Sequence, residues 1–253
     1  MNTNKHNLHF FSWLFERLVF YLKARKFPCF PWRYNFLLIF LKAFPENPIR
    51  AIIYFRKLIR KEIPCEGFIL LVCGPKVLRD GLNVCKKLKL KPFLIWGTLL
   101  GFAREAGFIK HDPDIDIGLL KRDFIRKNQL KQAMITKGYK FIYEDEYELL
   151  FTHRKFQSLN IDFALFYEKN EQMACSMYDG TQNYSVVYTY YFPLDVFADF
   201  KKVTFENNKV LVPLQTEKFL SVSYGDWRVP KKNWDHLHDY LNLRIEEKMV
   251  EKE

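Results

Sequence analysis

The run Asp114-Ile115-Asp116-Ile117-Gly118 is the part of this chain that most limits how it can fold. Side chains alternate between the two faces of a strand, so Asp114 and Asp116 share one face while Ile115 and Ile117 share the other. The apolar back of such a strand must be covered by a second layer. Its acidic front sets two carboxylates side by side, and they repel each other unless a cation lies between them. A magnesium ion, held by one or two carboxylates and by the phosphate oxygens of a substrate, is the usual solution. Taken alone, a D-x-D pair also fits a solvated strand end.

The neighbouring residues favour a site. Gly97-Thr98 follows an apolar run (92–96) that reads as a buried strand, and it precedes a stretch of helix-forming composition (98–105). Glycine permits close backbone approach, and a helix start offers unpaired N–H donors to an anion. Thr98 adds a hydroxyl, and Arg104 offers a planar fork for phosphate. Gly97, Thr98 and Arg104 are therefore candidate phosphate contacts, with Asp114 and Asp116 as candidate metal ligands. Asp162, in Asn160-Ile161-Asp162-Phe163, lies on another alternating apolar strand where an unpaired carboxylate would be costly. It is the candidate third ligand and the group to take a proton from an attacking hydroxyl.

From residue 65 onward the pattern is mixed. Helices are expected at 75–89, 122–137, 214–223 and 233–248. Strands are expected at 92–96, 114–119, 139–143, 148–153, 160–167 and 184–191, with a short strand or buried turn at 67–73. Glu206-Asn207-Asn208-Lys209 marks a hairpin, because asparagine tolerates positive φ. The expected class is α+β, a mixed sheet flanked by helices.

Residues 1–64 have a different texture. The formal charge is +11, and residues 1–60 hold 11 Lys and Arg against two Glu. These cations sit among aromatics at one end of the chain, which argues against a nucleic-acid face and for a membrane surface. Two roles are open for this segment: a helical anchor lying on anionic lipid, or helices packed on the main domain. No apolar stretch reaches the roughly 20 residues of a spanning helix. Glu16 and Arg17 interrupt the early apolar run, so a secretory signal fits poorly. Five cysteines without CxxC spacing read as free thiols of a reducing compartment. The expectation is a cytoplasmic protein, peripheral on the cytoplasmic face of a membrane through residues 1–60, with a catalytic domain at 65–253.

Residues 97–118, GTLLGFAREAGFIKHDPDIDIG, resemble the signature of the LicD/fukutin phosphotransferases, in which a GTLLG…R…G-x-I segment leads into a D-x-D strand. A second block is similar to that family's C-terminal pattern: Phe192-Pro193-Leu194, Val212-Pro213, then Tyr224-Gly225-Asp226-Trp227 and Pro230. The resemblance covers roughly residues 92–235.

It implies a nucleotidyltransferase-like fold and transfer of a phospho-alcohol from a CDP-activated donor to a glycan hydroxyl, releasing CMP. Phosphocholine, ribitol phosphate and glycerol phosphate are the groups expected. By the same resemblance Asp114 and Asp116 hold Mg²⁺ or Mn²⁺, with Asp162 as the added third ligand read from its strand, and Gly97, Thr98 and Arg104 meet the donor phosphates. Asp112, cut off from the pair by Pro113, and Asp226 stand as acceptor-binding or structural positions. The competing readings are a nucleotide-sugar glycosyltransferase using the D-x-D, and an inactive membrane-bound scaffold of glycan assembly.

Overall fold

A computed structural model describes residues 65–248, apart from 113, 155, 182–183, 232–233 and 236–237, together with the single positions 54, 57 and 62. The basic helical segment expected at 1–64 therefore lies almost wholly outside the described residues.

Among the described residues, ten strands form one mixed sheet: β1 (Phe93–Leu94), β2 (Asp116–Leu120), β3 (Tyr139–Glu144), β4 (Glu148–His153), β5 (Phe156–Lys169), β6 (Gln172–Thr181), β7 (Tyr184–Pro193), β8 (Phe200–Phe205), β9 (Asn208–Pro213) and β10 (Leu243–Lys248). Their order is β10-β7-β6-β5-β2-β1-β9-β8, with β3 and β4 attached to β5 through β4. The α-helices described from residue 65 onward are α1 (Cys65–Lys87), α2 (Trp96–Leu100), α3 (Lys121–Phe124), α4 (Lys127–Lys137) and α5 (Thr216–Tyr224). Strands β2 and β5 run parallel, as do β1 and β9, and the other pairs are antiparallel. A parallel pair needs a long crossover, and α3, α4 and the β3–β4 hairpin supply it between β2 and β5.

Alternation sorts the central side chains. Ile117 on β2, with Ile161 and Phe163 on β5, faces α1, where Gly81 lies against all three. The opposite face carries Asp116, Gly118, Asp162 and Phe166. Phe166 joins a cluster with Phe93, Phe192, Phe197 and Phe219, with ring centroids 4.5–6.5 Å apart. Gly118 pairs with Phe93, and a Cβ there would stand 2.3 Å from the Phe93 ring and 2.8 Å from Ile95 Cγ2. The missing side chain is what lets Phe93 lie over β2. Gly118→Ala should therefore destabilise the domain by about 2–3 kcal/mol through overpacking, measurable by urea denaturation.

Several elements differ from the sequence expectation. The run 67–73 and the helix expected from Pro75 are one helix, α1, with Pro75 inside it. A continuous apolar run does not separate a buried strand from a buried helix, and proline normally marks a helix start. The Pro75 carbonyl accepts a hydrogen bond from Asn208 Nδ2 at 3.0 Å, which fastens α1 to the β8–β9 hairpin. The helix expected at 122–137 is two, α3 and α4, broken around Ile125 and Arg126. The helix expected at 233–248 is overturned: its described residues before 243 are turn and coil, and 243–248 is β10, paired along β7 from Leu243 opposite Tyr190 to Lys248 opposite Ser185. The open edge of β7 offers a full set of backbone partners, and that outweighs local helix propensity.

The marked hairpin forms, with Glu206 and Asn207 at φ 50° and 60°. Strand β6 was not foreseen. It turns back from β5 through Asn170 and Glu171, also at positive φ.

Candidate active site

The site forms where β1 hands over to α2. Trp96 has φ 38°, a left-handed conformation that costs energy in a bulky residue. This sharp turn swings the start of α2 against β2. Thr98 N donates to Asp116 Oδ2 at 3.0 Å, and Thr98 Oγ1 approaches the same oxygen at 3.3 Å. In return the Asp116 amide donates to Thr98 Oγ1 at 2.8 Å. The donors expected to face phosphate are thus engaged with the carboxylate, fixing its orientation.

Gly97 makes room beside it. A Cβ on Gly97 would fall 1.8 Å from Asp112 Oδ2 and 3.3 Å from Asp116 Oδ2. Asp112, Asp114 and Asp116 converge so that one carboxylate oxygen of each lies within 4.8 Å of the others. Pro113 does not remove Asp112 from the cluster.

The fourth carboxylate comes from the parallel neighbour. Asp162 stands opposite Asp116 in the β2–β5 register. Glu148 at the start of β4 pairs with Ala164, two residues along the same face, and its side chain bonds to Asp162. Asp116 is 8%, Asp162 5% and Glu148 7% exposed. Sequence reading missed Glu148. It opens an apolar strand like many solvated glutamates, and only the β4–β5 register brings it to Asp162.

So many buried acids hold protons tightly. Burial, then Asp114, raises Asp116 well above the usual carboxylate range, against the Thr98 hydrogen bonds. Burial, then Glu148, Asp116 and Asp114, raises Asp162. Burial, Asp114 and Asp116 raise Asp112. Burial and then Asp145 push Glu148 up to about 7, against the hydrogen bond with Asp162.

The folded protein thus keeps the Glu148 proton to higher pH than the unfolded chain does. Its contribution to stability is full below about pH 4.5 and declines as pH rises to about 7, a loss of roughly 3 kcal/mol at most. Without divalent ions, the melting temperature should fall between about pH 5 and pH 7.5. Glu148→Gln should flatten that slope in a thermal scan.

The remaining site residues lie at varied positions. Arg104 is on the π-helical turn Gly101–Glu105. Its Nε donates to Glu105 Oε1 at 2.9 Å and its Nη1 to the Trp227 carbonyl at 3.2 Å, tying this turn to the segment after α5. Asp226 is exposed, and its carbonyl accepts from the Val229 amide in a turn. An aromatic wall adjoins the acids: Trp96, Tyr190, Tyr240, Tyr224 and Trp234 follow one another with centroids 5.0–5.4 Å apart. Tyr224 and Tyr240 join their hydroxyls at 3.1 Å.

The donor set suits a hard divalent cation, which takes carboxylate oxygens. Three carboxylates converge, and Asp162 keeps one buried oxygen, Oδ1, with no hydrogen-bond partner among the described residues. A cation would relieve both the repulsion and the unpaired acceptor.

A mixed sheet with this acidic cluster at the head of β2 defines a nucleotidyltransferase-like domain. Residues 89–215 match the family described as LicD/FKTN/FKRP, nucleotidyltransferase domain, and the chain belongs to that family. It is 29% identical over 167 residues to "Ribitol-5-phosphate transferase FKTN" of Homo sapiens, covering 63% of this chain and 34% of that protein. It is 30% identical over 210 residues to the protein of the same name from Mus musculus, covering 80% and 40%. The chain thus spans well under half the length of these curated relatives. Among solved structures, the antibiotic-resistance factor ANT(2'')-Ia aligns with a TM-score of 0.41 at 14% identity, covering 65% of this chain and 78% of that one.

Proposed function

We propose that this chain transfers a phospho-alcohol from a CDP-activated donor to a hydroxyl of a glycan, releasing CMP. The observation that carries the reading is the convergence of Asp112, Asp114 and Asp116 beside Asp162, whose Oδ1 is buried without a partner. The relatives named ribitol-5-phosphate transferase support the phospho-alcohol class.

Asp112, Asp114 and Asp116, with Asp162 beside them, would hold Mg²⁺ or Mn²⁺. When bound, such an ion neutralises negative charge on the donor's phosphates. Thr98 keeps Asp116 in one orientation through three hydrogen bonds. With a divalent ion bound, Asp162 would be ionised and receive the proton of the attacking hydroxyl, and its bond to Glu148 holds the carboxylate in place. The hydroxyl oxygen forms a bond to the β-phosphorus, and the bond from that phosphorus to the bridging oxygen breaks. The electron pair leaves with CMP, and a phosphodiester remains. Arg104, braced by Glu105 and the Trp227 carbonyl, is the proposed cation for the donor phosphates.

The test is a donor panel. CDP-ribitol, CDP-glycerol and CDP-choline are offered with Mg²⁺ and a crude glycan fraction, and CMP is measured by chromatography. Release of CMP from one of them, dependent on both glycan and metal, is expected. Release of UDP or GDP from a sugar nucleotide instead would support the glycosyltransferase reading and overturn this one.

A further inference from the structure

We propose that the folded domain carries its own docking surface for an anionic lipid bilayer, formed by residues 86–91 and 121–127. It stands independently of the proposed chemistry and of residues 1–60. The two segments hold eight Lys and Arg against a single acid, Asp123.

They adjoin in space. The Arg126 guanidinium donates to the Leu88 carbonyl. Lys91 precedes β1 and Lys121 follows β2, and the antiparallel pairing of Phe93 with Gly118 brings both out at the same end of the sheet. Lys86, Lys87, Lys89, Lys91, Lys121 and Arg122 are exposed and form no ion pair with a described residue. Between the α3 and α4 cations sits Ile125, 86% exposed, the highest value among the large exposed hydrophobic residues described. Its neighbour Phe124 is buried.

What sets Ile125 apart from the other exposed hydrophobic residues is its place among these cations and its 86% exposure. An apolar tip ringed by cations is what an interfacial contact requires: the tip enters the headgroup boundary while the cations meet anionic lipid. Nucleic acid fits less well. Single strands are held largely by stacking on exposed aromatics, and Phe124, the one aromatic of these segments, is hidden. Leu120 and Asp116 lie at opposite ends of β2, about 13 Å apart, so a seated domain leaves its carboxylate cluster away from the lipid.

The experiment is vesicle co-sedimentation of the full chain. Vesicles of phosphatidylcholine with about 30% phosphatidylserine are compared with phosphatidylcholine alone. The unsubstituted chain should bind the anionic vesicles, more weakly as salt rises. K86S/K89S/K121S/R122S should weaken that binding on the order of tenfold or more. Ile125→Asp should weaken it comparably, with melting temperature confirming that both variants fold. As an independent readout, Ile125→Trp should add blue-shifted emission on anionic vesicles beyond that of the unsubstituted chain. Unchanged vesicle affinity in both variants would overturn the proposal. So would a chain that ignores vesicles and binds a single-stranded oligonucleotide through the same residues.

Discussion

Asp116→Asn is expected to lower turnover by at least ~10³-fold, the several kcal/mol that metal-ion charge stabilisation supplies, while leaving the fold intact. Asparagine retains a carbonyl oxygen that can accept from the Thr98 amide and hydroxyl, so the β1–α2 turn stays pinned to β2. What disappears is a buried negative charge already disfavoured by burial and by Asp114. Without divalent ions the variant should therefore melt at the same temperature as the parent or higher, since one source of repulsion is gone. With Mg²⁺ added, the parent should gain stability through binding and the variant should gain little. Loss of turnover together with loss of folding would instead make Asp116 a structural residue.

Gly97→Ala should lower turnover on the order of 10²-fold without removing any titratable group. The added methyl would occupy the place of Asp112 Oδ2, 1.8 Å away. Asp112 has a short side chain that is only partly buried, so it can swing aside and the domain need not unfold. Its departure breaks the three-carboxylate convergence. The double mutant separates this mechanism from general damage. In an Asp112→Ala background, Gly97→Ala should cost little more, because the clash has lost its partner. Additive losses would show that Gly97 acts through something other than Asp112.

These two residues also show what the sequence made legible and what it did not. Strand periodicity placed Asp116 and Asp162 on apolar strands, and the structure sets them directly opposite each other. Gly97-Thr98 was legible as a turn at a site. In the structure the glycine makes room for Asp112, and the threonine clasps Asp116. Periodicity has no means of showing that Glu148 meets Asp162, because that contact depends on the register between β4 and β5. The fold was legible where alternation was strong, as in β4, whose limits match the expectation. It was not legible where a partner decided the outcome. Residues 243–248 have helix-compatible composition and become a strand because β7 presents an open edge.

These carboxylates are proposed to support metal-dependent transfer of a phospho-alcohol from a CDP donor. Phosphorus NMR of a reaction with the active CDP-alcohol and its glycan tests this most directly. The pyrophosphate resonances should disappear while CMP and a phosphodiester appear in equal amounts. That conversion should stop on chelation of divalent ions and be absent with Asp116→Asn. Unchanged conversion by Asp116→Asn, or CMP formed with free alcohol phosphate and no phosphodiester, would contradict it.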